Sequence, residues 1–88
     1  MVMKLNPFAL MQEEFDHTGI VFNPDCNKVM TLNASGVVLW KAFEGGADFD
    51  EAAALLVDNF DGIDLAQARK DAEAFAAILC EKSLASMD

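Results

Sequence analysis

At Leu32-Asn33 the hydrophobic pattern changes period with no linker between. Before this junction the chain reads as extended. "KVMTL" (28–32) is β-branched and alternating, and "IVF" (20–22) is β-branched and aromatic. "FALMQEEF" (8–15) alternates in the same way. "DHTG" (16–19) and "NPDCN" (23–27) separate these runs as turns, where Gly, Pro, Asn and Asp supply the needed backbone angles. Strands joined by such short turns pair as antiparallel hairpins, which predicts a three-stranded meander.

After the junction every element reads as helix. Asn33 is a favoured N-cap for a helix from Ala34 to about Glu44, and Gly45-Gly46 is its stop. That helix is apolar nearly all round and holds the only tryptophan, Trp40. With Val37, Val38, Leu39 and Phe43, Trp40 is expected in the core. Asp48 and Glu51 form a near-relative of the capping box at the start of a second helix. Its apolar stripe is Phe49, Ala52, Ala53, Leu56, Val57 and Phe60, the spacing of one helix face. "DGI" (61–63) breaks it. Asp64, with Gln67 completing another box, opens a third helix that runs to about Ser83. The main stripe of that helix is Leu65, Ala68, Ala72, Phe75, Ala76 and Leu79.

Strands segregated from helices predict an α+β fold, helices packed on one face of a small sheet. The order of a three-stranded antiparallel β-meander followed by three α-helices is winged helix-turn-helix-like. At 88 residues one domain, 1–88, is expected, with a core over about 8–84. A domain this short buries only roughly 60–65% of its unfolded surface. The chain is nevertheless 53% hydrophobic, which suggests a homodimer or a partner-binding patch.

The formal net charge is −9, and between Ala42 and Ala68 there are seven acids and no base. Nucleic acid is therefore not expected as a partner, since phosphate neutralisation needs clustered Lys and Arg. No secretory signal or membrane-length apolar run is seen, so a cytoplasmic protein is expected. Cys26 and Cys80 stand in no metal-like spacing, and a disulfide between them is the minor alternative. No catalytic constellation, metal site or cofactor box emerges. His17 is the only histidine and lies in a turn. Ser35 follows Ala34 and not the aspartate of an acyl carrier. Gly45-Gly46 lacks a phosphate-loop pattern. The sequence reads as a protein that is not an enzyme and carries no cofactor.

One feature asks for a partner. As an edge, Lys28–Leu32 has a single lysine and nothing else to defend its unpaired main-chain groups. Such an edge suits a peptide that adds as a further strand, a dimer that pairs the same edges, or a helix laid over it. Physics alone leaves these open.

"VMTLNASGVVLWKAFEGGADFDEAAALLVDNF" resembles the core of the PqqD family, recognition elements for ribosomally made and modified peptides. The matching residues are Leu32-Asn33, Ala34-Ser35-Gly36, Leu39-Trp40, Glu44-Gly45 and the stripe from Phe49 to Phe60, followed by a closing helix, Phe75 to Leu84. The resemblance implies a non-catalytic peptide chaperone. It would bind the leader of a precursor peptide and present it to a maturase, often a radical SAM enzyme, in pyrroloquinoline quinone or related biosynthesis. The leader would add along Lys28, Val29, Met30, Thr31 and Leu32. Asp71, Phe75, Ile78 and Lys82 of the third helix would form the facing wall. The alternative is a dimeric winged-helix module, structural or regulatory.

Overall fold

The computed structural model describes residues 3–25 and 27–87. Cys26, one half of the disulfide left open above, lies outside them. In chain order the elements are β1 (Met3–Leu5), β2 (Leu10–Glu13), β3 (Gly19–Asn23), β4 (Lys28–Leu32), α1 (Ala34–Glu44), α2 (Phe49–Asn59), α3 (Leu65–Glu81) and β5 (Ala85–Met87). The expected meander is present as an antiparallel sheet of order β2-β3-β4. Its first strand is shorter than expected, because Phe8 and Phe15 fall in flanking turns.

A second, two-stranded sheet was not expected. β1 pairs antiparallel with β5, Met3 opposite Met87 and Leu5 opposite Ala85. This correction has a local cause at the end of α3. Ser83 takes φ 60°, its N–H donates to the Cys80 carbonyl at 3.1 Å, and the Leu84 N–H donates to the Leu79 carbonyl at 2.8 Å. These are the two bonds of a Schellman stop. The stop turns the chain back and seats Leu84, which is fully buried, in the core.

The caps explain where the helices begin and end. Asn33 Oδ1 accepts from the Gly36 N–H and the Ser35 hydroxyl, each at 2.9 Å. Gly46, at φ +90°, closes α1 with a second Schellman pair, Gly46 N–H to Phe43 and Ala47 N–H to Ala42, both 3.0 Å. The Asp48–Glu51 capping box is complete. At α3 only half a box forms. Asp64 accepts from the Gln67 N–H, but the Gln67 amide turns away to Asp71 at 2.9 Å.

The core lies where α1 meets α2, α3 and the helix-facing side of the sheet. Val21, Leu32, Trp40, Leu56, Leu79 and Leu84 are buried there. Phe43 and Phe49 meet edge to face, with ring centroids 5.7 Å apart. Two stripe residues are corrected: Val57, beside fully buried Leu56, is 36% exposed, and Leu65, the first residue of α3, is 58% exposed.

Candidate peptide-binding groove

β4 pairs with β3 on one side only, so its other edge is open among the described residues. β2 is the opposite edge and is blunted: Glu13 is exposed, Glu14 follows it, and Glu13 pairs with Lys41. Charge on an edge strand discourages further pairing, and β4 lacks it beyond Lys28. The two edges are therefore not equivalent.

Strand alternation divides the side chains of β4 between two faces. Met30 stands opposite buried Val21, and Leu32 opposite Gly19. Lys28 shares their parity, and its cross-strand partner is buried Asn23. Lys28, Met30 and Leu32 thus occupy the helix-facing side. Val29 and Thr31 occupy the outer side. There Val29, 54% exposed, continues a row across the sheet with Phe22 and Leu10.

Next to the open edge lies a groove of about 350 Å³ lined by Met30, Thr31, Leu32, Asn33, Gly36, Phe75 and Ile78. The structure therefore brings together five of the nine residues named from sequence: Met30, Thr31, Leu32, Phe75 and Ile78. The other four, Lys28, Val29, Asp71 and Lys82, do not line the groove. Val29 is turned to the outer face, and the remaining three lie beyond its two ends.

Two further lining residues, Asn33 and Gly36, stand in the sequence as a helix cap and a motif glycine and not as expected site residues. A β-carbon built on Gly36 would stand 3.2 Å from the Leu32 β-carbon and 3.3 Å from Asn33 Oδ1. The bare glycine lets the first turn of α1 close against β4. Its signal was available, since a glycine in the first turn of an otherwise apolar helix marks a close approach.

The far wall is held by α3. Phe75 is buried, with its helix in the core, while Ile78 is 41% exposed and its apolar side chain opens onto the groove. Asp71, Phe75, Ile78 and Lys82 are spaced by four, three and four residues, which places them on one stripe. Asn23 fixes the geometry at one end. Its side-chain amide donates to the Ser83 carbonyl at 3.0 Å, and its oxygen accepts from the Asp25 N–H at 3.0 Å. The start of β4 therefore sits by the end of α3. Leu32 and Asn33, at the other end of β4, share the groove with the earlier residues Phe75 and Ile78, so β4 and α3 run antiparallel.

No group of His, Cys, Asp and Glu among the described residues could hold a metal ion. No helix among them is long and apolar enough to cross a membrane.

A small sheet with one guarded and one open edge, the open one flanked by an apolar groove against a helix, defines an α+β module built around an exposed strand. The profile of the family described as coenzyme PQQ synthesis protein D (PqqD) matches residues 18–85, and the chain belongs to that family. In fold it is similar to TbiB1, solved in complex with the TbiA(beta) leader peptide, with TM-score 0.83 and 18% identity over 97% of this chain and 99% of that one. It is also similar to a lasso peptide synthetase B1 complexed with the leader peptide, with TM-score 0.84 and 16% identity over 99% of this chain and all (100%) of that one. The comparison with curated proteins gives no match.

Proposed function

We propose that the protein is a non-catalytic peptide chaperone. The leader of a ribosomally made precursor peptide adds as a strand to the open edge of β4, and its alternate side chains enter the groove against α3. The observation that carries this reading is the coincidence of two features: an undefended strand edge and an apolar groove beside it, sharing Met30, Thr31 and Leu32. Main-chain bonds along the edge supply affinity, and the groove supplies selectivity. Two solved proteins of the same fold are complexed with leader peptides, which supports the same use here. The chain acts as one domain, and the loaded protein presents its leader to a maturase, a radical SAM enzyme or another peptide-modifying enzyme.

The test is an NMR titration of the labelled protein with a synthetic leader from a precursor encoded beside the gene. Amide shifts concentrated at residues 28–32 and at Phe75 and Ile78 are expected. Binding without shifts there, or no binding by any such leader, sinks the proposal. A self-association that shifts residues 28–32 in the absence of peptide favours the dimeric module instead.

A further inference from the structure

Charged residues of opposite sign lie beyond the two ends of the groove. On α3 the stripe runs from Asp71 through Phe75 and Ile78 to Lys82, acid at one end and base at the other. On β4, Lys28 lies on the helix-facing side, opposite Asn23, whose amide is bound to the Ser83 carbonyl. Lys28 and Lys82 therefore each sit one residue step from the same hydrogen bond, at the same end of the groove. Asp71 lies beyond the other end, its carboxylate accepting from Gln67.

Among the described residues neither lysine is committed to an ion pair. Lys41 pairs with Glu13, and Arg69 pairs with Asp50 and Glu73. No described carboxylate, including those of neighbouring Asp25 and Glu81, forms an ion pair with Lys28 or Lys82. In a chain of net charge −9, two lysines with no ion pair among the described residues are placed at one end of an apolar groove. Lys82 also caps α3, where a cation suits the helix dipole, but that role gives no reason for Lys28 to share the place.

Resting on the strand-addition reading, we propose that Lys28 and Lys82 select the charge and direction of the bound segment. An antiparallel ladder is the more stable pairing. A strand laid antiparallel to β4 has its C-terminal end beside Lys28. The ligand class is therefore an apolar, alternating peptide segment with carboxylates at its C-terminal end, and Asp71 disfavours acids at the opposite end.

The probe is a pair of blocked, fluorescently labelled decapeptides built from valine, leucine and threonine. One carries two aspartates at the C-terminal end, and its isomer carries them at the N-terminal end. Binding is followed by anisotropy. At low salt the C-terminal-acid peptide is expected to bind about three- to tenfold more tightly, a preference that shrinks as salt screens the pairs. Lys28→Ala reduces the preference and Lys28→Ala with Lys82→Ala abolishes it. Lys70→Ala, which removes an exposed charge from another face of α3, leaves it intact. Equal binding of the isomers, preference for the N-terminal-acid peptide, or a preference that survives loss of both lysines overturns the charge selection while strand addition stands. Failure of both peptides to bind while the leader still shifts the amides at 28–32 overturns this inference alone, and a leader that leaves those amides unshifted overturns the strand-addition reading and this inference with it.

Discussion

Asn23 and Ser83, 60 residues apart, are joined by one hydrogen bond of 3.0 Å that ties the β3–β4 hairpin to the end of α3. Asn23 is the only buried polar residue of the fold among those described, and Asn6 donates to the same carbonyl at 3.1 Å. Two side-chain amides thus hold the Ser83 carbonyl, and the buried one is on β3. Asn23→Ala removes two hydrogen bonds, the one to the Ser83 carbonyl and the one from the Asp25 N–H; at about 0.5–1.5 kcal/mol net each it is expected to cost about 1–3 kcal/mol and to lower the midpoint of urea unfolding. Peptide affinity should fall further than stability accounts for. A variant as stable as the parent removes this role from Asn23.

Ile78→Asp tests the helical wall without testing the fold. Ile78 is partly exposed, so the substitution should change stability by no more than about 0.5–1 kcal/mol. In the groove it places an acid among Met30, Leu32 and Phe75. Leader affinity should drop at least about tenfold, the equivalent of about 1.4 kcal/mol, as measured by calorimetry. Unchanged affinity moves the peptide away from α3.

A proline scan along Val29, Met30 and Thr31 separates edge from ladder. In an antiparallel pair, successive N–H groups point alternately to the partner strand and away from it. Proline at a position whose N–H faces the open edge removes only the donor offered to the leader, and circular dichroism should remain native. Proline at a position facing β3 removes a ladder bond and should unfold the sheet. Loss of peptide binding with a native spectrum should therefore alternate with loss of the spectrum. Prolines that all leave binding intact rule out main-chain recognition at β4.

Trp40 is 1% exposed, and its indole N–H has no hydrogen-bond partner among the described residues. Trp40→Phe removes that unpartnered donor together with some packing volume, and the two effects oppose each other. Its cost should stay under about 1.5 kcal/mol, whereas Trp40→Ala should cost about 3–5 kcal/mol. Thermal unfolding of the pair decides the matter, and equal losses refute it.

The turn between β2 and β3 carries a pH signature. Hydrogen bonds from the Thr18 hydroxyl at 2.6 Å and the Thr18 N–H at 3.2 Å hold the Asp16 carboxyl below its ordinary value of 3.8. A carboxylate depressed in the folded state contributes stability above its unfolded pKa. That contribution is lost as the pH falls through the folded value. The stability of the protein should therefore gain an acid-side loss below about pH 4 that Asp16→Asn lacks. Side-chain carboxyl NMR titration of Asp16 reads the shift directly, and a value at or above 3.8 contradicts it.

What the sequence disclosed was local. Asn33, Gly45-Gly46 and Asp48–Glu51 each satisfy backbone groups within a few residues, so their chemistry can be read in place. The β1–β5 pair could not be seen, because two three-residue strands are too short to show a period and their pairing spans nearly the whole chain. Val57 and Leu65 misled for a related reason: periodicity finds a face but not how much of it is covered. In the groove, the middle of β4 and the apolar residues of α3 were legible from pattern and resemblance. The Asn23–Ser83 tie was not, since nothing in either residue's neighbourhood foretells a contact across 60 positions.

The β1–β5 ribbon also makes this fold portable. Met3 lies opposite Met87, so the polypeptide enters and leaves the module at adjoining points. A unit hung from one such point can be spliced into a surface loop of another protein without stretching either partner. Grafted onto a peptide-modifying enzyme, it would raise the local concentration of bound substrate by tethering alone, and the gain would be set by linker length with no new contact.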